Sequence, residues 1–220
     1  IIGPMRQVPY IIIGMHRSGT RLLAKLLEKS GIFMGVLKEH NFEALHFLSL
    51  NQAALQGMGA SWVHPQPCEV VPPSFPPASL LYREHFQAYG KMAQLRLAWQ
   101  RPAWGWKDPR NTFTLPLWLR LFPGAKVIHL IRNSEAVVHS LQSRNGRPGE
   151  PWVAELKDLT FARGLWQSYV NQGRSYAPSL GGRYCELHYE DLCALDEEAL
   201  QKLEEFCGRR LRPALKELLR

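Results

Sequence analysis

The sequence has no apolar run of the ~18–20 residues that a membrane-crossing helix requires. Its most apolar short stretch, Ile11 to Ile13, is followed at once by glycine and charge. No secretory signal pattern opens the chain. It starts on Ile1 rather than methionine, as a processed or trimmed piece would. Cysteine is scarce. Cys68, Cys185, Cys193 and Cys207 form no CxxC pair and have no histidine at metal spacing. That argues against a zinc ribbon and a disulfide scaffold, and points to reduced thiols in a cytoplasmic protein. There is no internal repeat and no heptad run. A basic, aromatic-rich motif of the RNA-recognition kind is also absent. The formal net charge of +8 favours an anionic ligand. Its lysines and arginines are scattered, which does not favour nucleic acid. The tightest cluster, Arg209, Arg210 and Arg212, reads as a solvated face.

What is present is the material of one domain spanning residues 1–220, with enough chain for a sizeable core. "PYIIIG" is a short β-branched run bounded by Pro9 and Gly14, the pattern of a buried strand. "TRLLAKLLEKSG" places Leu22, Leu23, Leu26 and Leu27 on one helical face and stops at Gly31. Helix is expected from about Asn41, loop from Val63 to Pro77, and helix over Ser79–Gln100. "AWGWKDPR" leads into a helix near Thr114–Phe122, with Pro116 in its first turn. "AKVIHLIRN" is a second strand and Ser134–Ser143 the helix after it. A long helix falls within Trp152–Tyr176, a third strand in "RYCELHYEDL", and a last helix over Asp196–Cys207. Alternating strand and helix predicts an α/β fold, an open parallel sheet of P-loop type flanked by helices.

Gly14 and Gly19, with four residues between them, stand where strand gives way to helix. Backbone N–H groups in such a loop form a nest for a phosphate. The helix behind it adds about half a positive charge. A nucleoside-triphosphate loop follows its second glycine with Lys and then Ser or Thr, and needs a metal-binding Asp at the end of a second strand. Here those places hold Thr20, Arg21 and Arg132, and the loop carries its own cation, Arg17. Such residues repel magnesium and attract further phosphate, so the expected site binds an anion through protein side chains without a metal. Arg132 at a strand end and Ser140 on the next helix can both reach one phosphate. The two places together describe a nucleotide phosphorylated at two ends.

"GMHRSGTRLL" and "AKVIHLIRNSEAVVHSL" resemble the two cofactor motifs of sulfotransferases that use 3′-phosphoadenosine 5′-phosphosulfate (PAPS). "WGWKDPRNTFTLPLWLRLFPGAK" resembles the Lys-Asp-Pro segment of tyrosylprotein sulfotransferases and many bacterial ones, and "YEDL" at Tyr189 is usual in the family. The likeness runs from about Val8 to Gly208. It implies that Arg17, Ser18, Gly19 and Thr20 contact the 5′-phosphosulfate, with Gly14, His16 and Arg21 in the same loop. It implies that Arg132 and Ser140 hold the 3′-phosphate and that Lys107 sits at the bridging oxygen, with no metal. His16 lies inside the loop, as in related bacterial sequences. Ser134 departs from the proline or aspartate common after the strand. The basic loop that often closes on the 3′-phosphate is not evident; Arg144 to Arg147 or Arg209 to Arg212 are its candidates.

Transfer of a sulfuryl group to a hydroxyl also needs a base. In "LKEHNFEALHF", Glu39 stands nearest to where tyrosylprotein sulfotransferases carry a catalytic glutamate; His40, Glu43 and Asp108 are the other candidates. Trp62 and His64 are expected on the acceptor side, and Trp104, Trp106 and Trp118 in core or pocket wall. The acceptor is left open among small molecule, carbohydrate and peptide, and so is the oligomeric state. Two alternatives stand beside the sulfotransferase reading: a P-loop kinase or nucleotidase, and a non-catalytic nucleotide-binding module.

Overall fold

The structure, a computed structural model, describes residues 8–72, 75–77, 80–81, 103–148 and 150–220. Four strands form one parallel sheet: β1 (Tyr10–Ile13), β2 (Gly105–Lys107), β3 (Lys126–Ile131) and β4 (Tyr184–His188). Their spatial order is β2-β1-β3-β4. The chain therefore leaves β1 for one neighbour and crosses back to the other. That reversal opens a crevice at the C-terminal ends of the strands, beside β1.

β1 is buried on both faces, as a parallel strand covered by helices must be. Ile11 and Ile13 pack with Trp104, Trp106, Trp118 and Phe47. Tyr10 and Ile12 belong to the opposite cluster, with the leucines of α1 (Thr20–Lys29) and Leu200 and Leu203 of α8 (Glu197–Cys207). Each fully buried isoleucine contributes about 1.5–3 kcal/mol. The three tryptophans are core residues with no exposed surface, and Trp106 stacks on Phe47 at 3.9 Å. The other α-helices given wholly by the described residues are α2 (Leu45–Gln56), α3 (Asn111–Leu121), α4 (Ser134–Arg144), α5 (Leu159–Ser175), α6 (Ala177–Leu180), α7 (Tyr189–Cys193) and α9 (Arg212–Leu218). All four cysteines are free thiols.

Three elements differ from the sequence expectation. β2, read as a lead-in to a helix, is a strand of only three residues, too short to show alternation. α3 starts at Asn111, so Pro116 lies in its interior rather than its first turn. The missing N–H of Pro116 would leave the Thr112 carbonyl unpaired; the Tyr176 hydroxyl donates to that oxygen at 2.9 Å instead. α2 begins at Leu45 and not near Asn41, because Phe42 is left-handed at φ 71° and Lys38 bridges Ala44. The resulting tight turn carries Glu39 and Glu43. Of the helix expected over Ser79–Gln100, all but Leu80 and Leu81 lies outside the described residues.

Candidate active site

Parallel strands put all their C-terminal ends on one edge. The Gly14–Gly19 loop after β1, Lys107 closing β2, Arg132 after β3 and Tyr189 after β4 therefore meet. A cavity of about 590 Å³ lies there. The loop is held from both sides. Gly14 donates its N–H to Thr112 Oγ1 at 3.0 Å. A Cβ on Gly14 would lie 2.4 Å from the Leu130 carbonyl oxygen, and one on Gly19 would lie 2.1 Å from the Tyr189 ring. Both glycines, and Arg17 at φ 69°, have positive φ. The left-handed residues Arg17 and Gly19 make the tight turn into α1; between them the Ser18 N–H donates to the Met15 carbonyl at 3.2 Å, and the first turn of α1 has no acidic residue.

Of the residues expected from sequence, His16, Arg17, Gly19, Thr20, Arg21, Glu39, His40, Lys107 and Arg132 line this one cavity. Gly14, Ser18 and Ser140 are not in its wall. Ser18 is buried under the loop, and its Oγ has no hydrogen-bond partner among the described residues. Ser140 accepts a 3.1 Å hydrogen bond from Arg17 Nε. The sequence reading set Arg17 at one phosphate and Ser140 at another; the structure joins them. Arg132 NH1 donates to the Arg17 carbonyl at 3.1 Å and its guanidinium lies over the Tyr189 ring at 4.7 Å. Arg144 lines the cavity, whereas Arg209, Arg210 and Arg212 do not. Arg212 pairs with Glu197.

The electrostatics are those of an anion site. Burial lowers the Arg17 pKa, and Arg144, Arg132 and Arg21 lower it further while Glu150 opposes them. An anion bound there would relieve the crowding of like charge. His16 is held well below its ordinary pKa, by burial first and then by Arg110, Lys107 and Arg17. Its ring packs on Trp62 at 4.6 Å.

On the other wall, Lys107 is almost wholly buried and donates to Glu43 Oε1 at 2.8 Å and to the Asn41 carbonyl at 3.0 Å. Glu39 closes its own turn. Its Oε1 accepts from the Glu43 N–H at 3.2 Å, and its Oε2 faces His40 Nδ1 at 2.8 Å and Asn41 Nδ2 at 3.3 Å. Asp108 has no exposed surface and lies behind the wall, bonded to Arg110 and Asn51. His64 is exposed and reaches Glu155 at 3.1 Å. Sequence reasoning passed over Arg110 and ranked Glu43 low. Arg110 directly follows the Lys-Asp-Pro run, which was a signal for it; the turn that brings Glu43 to Lys107 had none.

The chain matches the sulfotransferase family model over residues 9–213. It is a member of that family. Among curated proteins it is similar to the omega-hydroxy-beta-dihydromenaquinone-9 sulfotransferase Stf3 of Mycobacterium bovis, 24% identical over 91% of this chain. It spans 62% of that protein's length, and 35% of a protein-tyrosine sulfotransferase-like relative of Caenorhabditis briggsae. Two solved structures share the fold. One is the sulfotransferase domain of the Synechococcus PCC 7002 olefin synthase, with TM-score 0.57 and 20% identity over 99% of this chain and 80% of that one. The other is mouse sulfotransferase SULT7A1 complexed with PAP, with TM-score 0.53 and 13% identity over 97% of this chain and 64% of that one.

Proposed function

We propose that this sulfotransferase-family protein moves a sulfuryl group from PAPS to a hydroxyl or amine acceptor, without a metal. The observation that carries the reading is convergence. An anion-binding loop, a buried lysine and a half-buried arginine stand at the ends of three adjacent parallel strands around one cavity. The residues fit a bis-phosphorylated nucleotide. The buried Ser18 hydroxyl has no partner among the described residues, and Arg17 is crowded by Arg144, Arg132 and Arg21, with Glu150, 3.3 Å from Arg144, as the acid that opposes them. The PAP carried by the mouse relative agrees with that donor.

In this reading the loop N–H groups with Arg17, Ser18 and Thr20 hold the 5′-phosphosulfate. Arg132 and Ser140, with Arg144 beside them, hold the 3′-phosphate. The bound donor supplies an activated sulfuryl group, whose sulfur–oxygen bond to the 5′-phosphate is exchanged for one to the acceptor. Lys107 stabilises the electron pair left on the bridging oxygen. The acceptor's proton passes to a carboxylate. Glu39 leads by sequence; both it and Glu43 line the cavity and both are paired, Glu39 within its own turn and Glu43 with Lys107 at 2.8 Å and beside Arg110 at 3.6 Å. We take Glu43 as the base because it stands beside the lysine assigned to the reacting centre. His40 and Trp62 then belong to the acceptor wall. The acceptor is a small molecule, carbohydrate or peptide, and the setting is the cytoplasm. No helix among the described residues is long and apolar enough to cross a membrane.

Calorimetry with 3′-phosphoadenosine 5′-phosphate, ATP and AMP, with and without magnesium, tests the donor. Tight metal-independent binding that requires the 3′-phosphate is expected. Preference for magnesium–ATP would replace this reading with the kinase one. Glu43→Gln should abolish transfer while donor binding persists, and Glu39→Gln should retain turnover. The reverse outcome would return the base to Glu39.

A further inference from the structure

Arg110 stands in the cavity wall with 13% of its side chain exposed, yet it has no place in the donor contacts assigned above. Its backbone N–H and NH1 both bind Asp108 Oδ1, at 2.9 and 3.0 Å. NH1 also lies 3.6 Å from Glu43 Oε2. Nε and NH2 make no hydrogen bond to any described residue, and neither is a buried unpartnered atom. A guanidinium presents five N–H donors in a fixed planar fork. One arm is clamped and the other is left for a ligand. Lys107 likewise spends two of its three protons on Asn41 and Glu43.

The clamp is itself rigidly held. Asp108 Oδ2 accepts from Asn51 Nδ2 at 2.9 Å, and that amide also donates to Asn111 Oδ1 at 2.8 Å. Asn51 Oδ1 accepts from Thr114 Oγ1 at 2.6 Å and Trp118 Nε1 at 2.9 Å. The amide is saturated, so it has one orientation. Burial opposes the charge on Arg110, and Asp108 and Glu43 more than offset it. The arginine therefore stays cationic beside the loop, where it acts on His16 more strongly than Lys107 or Arg17 does. Glu43 sits between the two wall cations, 2.8 Å from Lys107 and 3.6 Å from Arg110. Its carboxylate marks a place where two fixed cations converge on oxygen.

We propose that Arg110 is a catalytic residue that holds an oxygen of the sulfuryl group during transfer, and that Asp108 and Asn51 are the positioning residues that aim it. This rests on the sulfotransferase reading. It adds a cation fixed by the core to the loop's own Arg17. A planar fork suits the sulfuryl oxygens in flight, where a donor fixed in advance is worth most.

The test compares two probes that differ only in the sulfuryl group, PAPS and 3′-phosphoadenosine 5′-phosphate. Binding is measured by calorimetry, and sulfuryl loss to water by release of sulfate. Arg110→Lys keeps the charge beside Asp108 and loses the fork; Arg110→Gln loses both. In Arg110→Lys the affinity for PAPS should fall at least about 10-fold and sulfate release by about 10²-fold. Affinity for the desulfated nucleotide should stay within about twofold, and Tm near wild type. Asn51→Ala should reproduce the loss of discrimination in weaker form. Equal weakening of both nucleotides, or unchanged sulfate release in Arg110→Lys, would overturn the proposal. If the wild-type protein bound neither nucleotide, the sulfotransferase reading itself would fall first.

Discussion

Lys107 Nζ and Glu43 Oε1 meet at 2.8 Å across 64 residues of chain, with 3% and 7% of their side chains exposed. The pair joins the end of β2 to the turn before α2, and both partners face the cavity. Breaking one side of a buried pair strands the other charge, at about 3–5 kcal/mol. Lys107→Met should therefore lose stability on that scale by urea unfolding, and Lys107→Met with Glu43→Leu should recover part of it. Transfer should be lost in both. A single variant as stable as wild type would show that Arg110 alone suffices for Glu43.

Arg132 is assigned to the 3′-phosphate, but it also supports the loop through the Arg17 carbonyl. Two nucleotides separate these roles. A hydrogen bond to a charged group contributes about 1.5–3 kcal/mol, or ~10–100-fold. Arg132→Ala should weaken 3′-phosphoadenosine 5′-phosphate by that factor and leave adenosine 5′-phosphosulfate, which has no 3′-phosphate, within about twofold. Equal weakening would assign Arg132 to loop support instead.

His16 and His129 are both held below their ordinary pKa of 6.5, chiefly by burial. In the unfolded chain they take up protons near that pH; folded, they do so only at lower pH. The unfolded state then binds more protons, so stability falls as pH drops below about 6.5. Chemical denaturation between pH 7.5 and 5 should show this slope, and His129→Gln should flatten it. Glu186, held well below the carboxylate range by His129 3.7 Å away and then by hydrogen bonds from Arg174, adds a further loss in stronger acid. A pH-independent midpoint between 7.5 and 5 would contradict the assignment of neutral, buried imidazoles.

Asn51 has all four amide hydrogen-bonding positions filled inside the core. Asn51→Leu leaves Asp108 Oδ2 without its donor and takes the nearer acceptor from the Trp118 N–H and the Thr114 hydroxyl, which keep Thr114 Oγ1 at 3.1 Å and the Arg110 carbonyl at 3.2 Å. A buried group stripped of its partner costs about 1–3 kcal/mol. A Tm drop of roughly 5–10 °C is expected for a chain of this size. A shift under 2 °C would mean that water or a rotated side chain replaces the amide.

Local pattern sufficed for much of this protein. "PYIIIG" and the leucine spacing after Thr20 define strand, glycine turn and helix within about twenty residues, where covalent neighbours decide the outcome. Glycines at 14 and 19 announce positive φ. The absence of lysine after Gly19 and of aspartate after β3, both plain in the sequence, set the kind of anion the loop could take. The parallel α/β class followed from alternation alone.

Tertiary structure decided what depends on chain segments meeting. β2 is three residues long and has no period of its own; it is a strand because its backbone pairs with β1. Glu39 and Glu43 look alike in sequence, and only the left-handed turn at Phe42 sets one to cap its own loop and brings the other to Lys107. Arg110 reads as one more surface cation until Asp108, Asn51 and Trp118 are seen behind it. Spacing along the chain records which residues are neighbours within an element, whereas the charge balance of the cavity is a sum over residues that only the folded sheet brings together.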